Sequence, residues 1–154
     1  MISVRRLTTA DVPVLRDLRL RSLADTPENL GDLVAVEAAR PDAEWVHSLR
    51  ERAWFAGFDG ETPIALVCGS PDPSEWLLFS MWVAPSARGN GLAARLVAEV
   101  RAAAEDDGAQ ALVLQVFEDN LRARRIYERL GFLATGVWEE VPGKGRRELL
   151  RLAL

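Results

Sequence analysis

Val12, Leu15, Leu18 and Leu23 recur at helical spacing behind Thr8 and Asp11, which stand as the two halves of a capping box. The pattern predicts a short strand over Ile2 to Arg6 and a first helix reaching about Ala24. Asp25 to Gly31, "DTPENLG", is turn chemistry, and a less regular helix from about Leu33 to Arg52 should break near Pro41. Trp54–Phe58 and Ile64–Gly69 read as a strand pair about an Asp59–Glu61 turn, followed by a strand over Trp76–Val83. Leu92 to Asp106 has the strongest helical pattern, and Ala111 to Phe117 is a β-branched strand. A short helix from Asn120 to Leu130 closes on Gly131, and two strands, Leu133–Val141 and Arg147–Leu152, flank "PGKG" as a last hairpin. The order β-α-α-β-β-β-α-β-α-β-β predicts one mixed α/β domain over residues 1–154, antiparallel in its first half.

Composition narrows the function. The chain has 154 residues, 49 % hydrophobic and 27 % charged, with a formal charge of −4. That balance suits a soluble globular protein and argues against a nucleic-acid partner, which requires a basic face. No apolar run approaches the roughly 18 residues of a membrane span, and the N-terminus lacks an apolar signal core, so no membrane partner and a cytoplasmic location are expected. The single cysteine, Cys68, lies in the apolar run IALVC and reads as a buried structural thiol. One histidine and one cysteine cannot supply a metal's ligands, so no metal is expected.

The candidate chemistry begins at "ARGNGLAARL". A helix N-terminus presents unpaired N–H groups and a partial positive charge, and glycines before it remove side chains that would hold an anion away. Gly89, Asn90, Gly91, Leu92 and Ala93 therefore read as an anion cradle, with Arg88 as an added cation. The phosphate loop of nucleotide hydrolases is excluded, because Leu92-Ala93 stands where Lys-Ser/Thr is required. The flanking elements have the wrong topology for a dinucleotide fold. From the glycines alone, a flexible strand-to-helix turn explains the stretch equally well.

A second constellation downstream changes that balance. From Trp76 to Gly136 the sequence resembles the GCN5-related N-acetyltransferases (GNAT family). Their cofactor motif, Arg/Gln-x-x-Gly-x-Gly/Ala, is matched by Arg88 to Ala93, and the preceding Val-x-Pro by Val83-Ala84-Pro85. The later pattern of Asn, Tyr seven residues on and Leu-Gly-Phe is matched by Asn120, Tyr127 and Leu130-Gly131-Phe132. The resemblance implies a mixed sheet with helices on both faces and a splayed strand pair holding acetyl-coenzyme A. The pyrophosphate would lie on Arg88 to Ala93, and the pantetheine along Met81, Trp82 and Val83. Asn120 would touch the pantetheine, although the residue also suits a helix N-cap. Tyr127 would protonate the leaving thiolate, although with Ala123, Ile126 and Leu130 it also lies on a core stripe.

The same resemblance implies acetyl transfer to a primary amine by direct attack in a ternary complex. No base is assigned: Gln115 stands where some family members carry Glu, and His47, Glu28, Glu44 and Glu118 are remote alternatives. A non-catalytic acyl-coenzyme A-binding regulatory module is the competing reading. Asp25, Glu28, Asp32, Glu37, Glu139 and Glu140, with Trp45, Trp54 and Trp138, fall in regions that line the acceptor in the family, so a cationic amine is expected. Whether the domain forms a homodimer through its sheet edge or last hairpin stays open.

Overall fold

A computed structural model describes residues 1–25 and 31–154, with Gly31 and Asp32 described by backbone alone. Among these residues seven strands form one sheet in the order β1-β2-β3-β4-β5-β7-β6. They are β1 (Ile2–Arg6), β2 (Ala53–Asp59), β3 (Thr62–Ser70), β4 (Glu75–Val83), β5 (Ala111–Phe117), β6 (Leu133–Val141) and β7 (Gly145–Ala153). All neighbours are antiparallel except β4 and β5. The helices are α1 (Val12–Asp25), α2 (Gly31–Ala38), α3 (Asp42–Glu51), α4 (Leu92–Asp106) and α5 (Leu121–Arg129).

Two apolar layers explain this arrangement. On one face α4 buries Leu92, Leu96, Val97, Val100 and Ala104, a stripe at helical spacing, against Phe55, Val67, Leu78 and Leu114. Each buried Leu, Val or Phe here contributes roughly 1.5–3 kcal/mol before entropy is counted. Gly69 lets α4 approach, since a Cβ there would stand 2.8 Å from Val100 Cγ1. On the other face α1 and α3 bury Leu15, Leu18, Trp45 and Leu49 against Trp54, Ala56, Leu66 and Cys68. Cys68 is fully enclosed, and burial pushes its thiol up to about 12, so it is inert near neutrality.

The capping box is present, but it closes on a single 3₁₀ turn, Thr9–Asp11, that leads into α1. The Asp11 carboxylate accepts from the Thr8 N–H at 2.7 Å and from both terminal nitrogens of Arg5 at 2.9 and 3.0 Å. The Arg5 hydrogen bonds, opposed by burial, hold Asp11 down to about 2 from an ordinary 3.8. A depressed carboxylate stabilises the fold above its unfolded pKa and loses that contribution as pH falls through its folded pKa. Wild-type stability should therefore drop from about pH 4 toward about pH 2. In Asp11→Asn that part of the acid transition should be absent, as chemical denaturation at stepped pH would reveal.

The break predicted near Pro41 separates α2 from α3, with Pro41 at the N-cap of α3. Asp25 closes α1 instead of opening the turn, and the rest of that turn, residues 26–30, lies outside the described residues.

Candidate active site

The sheet opens where its one parallel pair ends. β4 and β5 are in register only at Glu75↔Ala111, Trp76↔Leu112 and Leu77↔Val113. Past these pairs β4 follows β3 as far as Val83, while β5 follows β7 as far as Phe117. Trp76 Nε1, donating to Asp107 Oδ2 at 3.0 Å, and Arg151, bound to Glu75 at 2.9 Å, hold the closed end. At the open end the β3–β4 register slips between Leu66↔Trp82 and Cys68↔Phe79, so that Ser80 and Met81 share one partner. Ser80 lies there at φ 56°, in the left-handed region where a side chain is strained, and such bulges turn a strand away from its neighbour. Nothing in the sequence around Ser80 announced this bend, since no glycine or proline marks it.

A cavity of about 990 Å³ fills the opening. Met81, Trp82 and Val83 form one wall and Leu114 to Phe117 the facing one; the glycine loop lies at one end, with Asn120, Ala123, Ile126 and Tyr127 of the α5 region beside it.

Gly89 and Gly91 have φ of 85° and 72°, and Gly91 is the N-cap of α4. A Cβ at either position would meet nothing within 4 Å, so both glycines leave open space before the helix end. No side chain caps α4 and its first turn carries no acid, which leaves the leading amides free for an anion.

Arg88 lies beside this loop, but its fork is partly engaged. Its Nε donates to Val83 O at 2.9 Å and its Nη2 to Asp25 Oδ2 at 2.7 Å. The same Asp25 oxygen accepts from Trp82 Nε1 at 3.0 Å; that bond, followed by the Arg88 bond, holds its carboxyl below the ordinary range.

Asn120 Oδ1 accepts from the Ala123 N–H at 3.2 Å, so Asn120 is an N-cap and also lines the cavity. Tyr127 is 8 % exposed, packs edge-to-face on Phe132 with ring centres 5.8 Å apart, and also lines the cavity. Burial pushes its phenol up to about 12, so it is fully protonated near neutrality. Its hydroxyl has no hydrogen-bond partner among the described residues.

α5 is fixed from behind. Glu148 of β7, 3 % exposed, accepts from Arg124 at 2.7 Å and from the Gly136 N–H at 2.9 Å. Burial pushes the Glu148 carboxyl up, but these bonds outweigh it and hold it below the usual range.

Several residues read from the sequence lie elsewhere. Trp45 and Trp54 are 3 % and 4 % exposed and belong to the core beneath α1 and α3. Glu37 is buried with Arg19 and Arg40, Glu139 is bound to Arg147, and Glu118 is held by both forks of Arg146. Glu28 and the Asp32 side chain lie outside the described residues. Glu140 and Trp138 remain exposed on β6, and Glu44 and His47 are exposed on α3. Among the described residues the cavity lining holds no carboxylate and no histidine; its ionisable side chains are Tyr127 and five arginines. Four of those were missed by the sequence reading: Arg147 on β7, and Arg122, Arg125 and Arg129 on α5. For the three on α5 the available signal was their spacing, one step round the helix from the stripe of Ala123, Ile126 and Leu130.

The sequence profile of the Acetyltransferase (GNAT) family matches residues 18–132. The chain belongs to this family. Among solved structures, this GNAT domain is similar to the PaiA N-acetyltransferase of Thermoplasma acidophilum in complex with coenzyme A. The identity is 14 %, the TM-score 0.80, and the match covers 100 % of this chain and 99 % of that one. It is similar also to YncA of Salmonella typhimurium, a putative acetyltransferase with its cofactor acetyl-CoA, at 18 % identity and TM-score 0.79, covering 100 % and 94 %. The ribosomal-protein-S18-alanine N-acetyltransferase of Escherichia coli aligns at 19 % identity and TM-score 0.75, covering 99 % and 94 %. At these identities the structures speak for the fold. A search of curated proteins gives no match. Among the described residues, no cluster of His, Cys, Asp or Glu could hold a metal, and no helix is long and apolar enough to cross a membrane.

Proposed function

We propose that this domain is an acetyl-coenzyme A-dependent N-acetyltransferase that acts on a primary amine within a ternary complex. The observation that carries the proposal is one cavity lined by both the glycine loop, with its uncapped helix end, and Tyr127. Acetyl-coenzyme A, when bound, supplies an activated acyl group and a thiol leaving group. The amides from Gly89 to Ala93 would hold its diphosphate, and the backbone of Met81, Trp82 and Val83, where β5 has departed, would pair with its pantetheine. The Val83 N–H or that of a close neighbour is the donor suited to a carbonyl oxygen. Asn120 keeps its amide nitrogen for a contact of its own.

Tyr127 holds its proton at the hydroxyl oxygen against an apolar wall. A phenol near 12 is a weaker acid than an ordinary thiol. The same wall would also raise a thiolate placed beside it, since desolvation disfavours either anion. Proton transfer between them is therefore set by one shared environment.

The absence of a carboxylate or histidine from the described lining favours one alternative, a non-catalytic acyl-coenzyme A-binding regulatory module. The experiment that separates the two is release of free thiol from acetyl-coenzyme A with a panel of primary amines. Amine-dependent release supports the enzyme, and tight cofactor binding without release supports the module. With Trp45, Trp54, Asp25, Glu37 and Glu139 committed elsewhere, and Arg146 already 4.1 Å over the Trp138 ring, a cationic acceptor rests on Glu140 alone among the described residues.

A further inference from the structure

The cavity passes through the sheet. Leu78, Leu114 and Val116 belong to the apolar layer under α4 and Phe79 packs against the layer under α1 and α3, yet all four line it. Side chains alternate along a strand, so Gln115 and Phe117 lie on the face away from α4. Tyr127 packs with the α4 layer, on the other side of the gap.

Gln115 is the one exposed residue of β5, a strand otherwise buried or half-buried. Its carboxamide has no hydrogen-bond partner among the described residues, and it lines the cavity. A free polar side chain in the middle of a central strand breaks the local pattern, as residues at functional sites do. A carboxamide accepts and donates hydrogen bonds but takes no proton at neutral pH. The carboxylates bound to arginines of the lining are committed to them, Asp25 to Arg88 and Glu139 to Arg147. Ser80 Oγ already accepts from Arg19 at 3.2 Å.

Proton balance then decides which amine suits this lining. When a neutral amine attacks the acetyl carbon and the C–S bond breaks, one proton passes from nitrogen to sulfur and none is left over. Tyr127 gives its proton to the sulfur and regains one from the nitrogen through water. An ammonium carries one proton more, which a base must remove first. At pH 7 roughly one α-amino group in ten is neutral, against roughly one lysine side chain in 2,500. We infer that the acceptor is an amine of low basicity, the class of the α-amino group, taken up neutral and oriented by the Gln115 carboxamide. The inference rests on the transferase reading above and narrows it. Gln115 Oε1 accepts one amine N–H and leaves the nitrogen lone pair for the acetyl carbon.

Ethylamine and 2,2-difluoroethylamine test this, because they are close in size while fluorine lowers the basicity. At pH 7 the difluoro amine should show at least tenfold higher kcat/KM, and the gap should close as pH rises and ethylamine becomes neutral. Calorimetry in buffers of different ionisation enthalpy, with coenzyme A replacing acetyl-coenzyme A, reads binding without turnover. Ethylamine should then release close to one proton per molecule bound at pH 7. Gln115→Glu supplies a proton acceptor, so it should raise the rate with ethylamine at pH 7 at least tenfold and flatten its pH profile. Gln115→Leu should lower kcat/KM for both amines at least tenfold with coenzyme A affinity unchanged. A preference for ethylamine at pH 7, or binding without proton release, would overturn the inference. So would variants that leave both the preference and the pH profile as in the wild type. If no primary amine releases thiol although coenzyme A binds, the transferase reading itself falls and takes this inference with it.

Discussion

Tyr127→Phe is expected to lower turnover at least tenfold while coenzyme A affinity and fold stability stay close to wild type. The ring packs edge-to-face on Phe132, and phenylalanine keeps that contact. The hydroxyl removed has no protein partner among the described residues, so its loss strands no donor or acceptor. A stability change under about 1.5 kcal/mol follows. Positioned acid catalysis is typically worth about 10²–10⁴-fold, and water can replace part of it. Steady-state kinetics beside a binding titration reads all three quantities. Wild-type turnover would return Tyr127 to the core stripe it shares with Ala123 and Leu130. Joint loss of binding and rate would make it a cofactor contact instead.

The second large effect is expected at Gly91. Gly91→Glu should weaken coenzyme A binding at least tenfold, or about 1.4 kcal/mol. Three causes act together. The residue sits at φ 72°, a region that costs a side chain roughly 1–2 kcal/mol. Its Cβ would project into the open space before α4. The new carboxylate would also be drawn to the amides that a diphosphate requires. Gly91→Ala separates the causes, since it retains the backbone strain and adds no charge. If calorimetry found the glutamate variant folded and unchanged in affinity, the cradle would not be the diphosphate site.

The elements were largely legible because their signals are local. The stripe in α4, Gly131 after α5 and the capping pair Thr8–Asp11 each specify their structure within a few residues. What escaped depended on distant partners. Trp45 and Trp54 look like surface aromatics when read singly, and only the packing of α3 on β2 shows that they are core. The bend at Ser80 has no breaker residue to announce it, because the cause lies in its pairing with β3. Asp25 looked like the start of a turn, whereas its role comes from residues 57 and 63 positions away. The geometry of the candidate site was legible where motif and backbone coincide, at the helix end after Gly91 and at the Asn120 cap. The lining's missing carboxylate could not be read at all, because it is a property of the assembled cavity.

The Asp25 bridge joins the end of α1 to the glycine loop through one oxygen shared by Trp82 and Arg88. Arg88 Nη2 cannot serve Asp25 and a phosphate equally well at once. An anion that recruits it loosens the end of α1, and a molecule that fixes α1 alters, by the same factor, the hold on that anion. Both partners are about one-third exposed, so solvent screening keeps the exchange small. Such weak reciprocal coupling imposes no obligatory order of binding. The end of α1 and the glycine loop are thereby thermodynamically linked through a single ion pair.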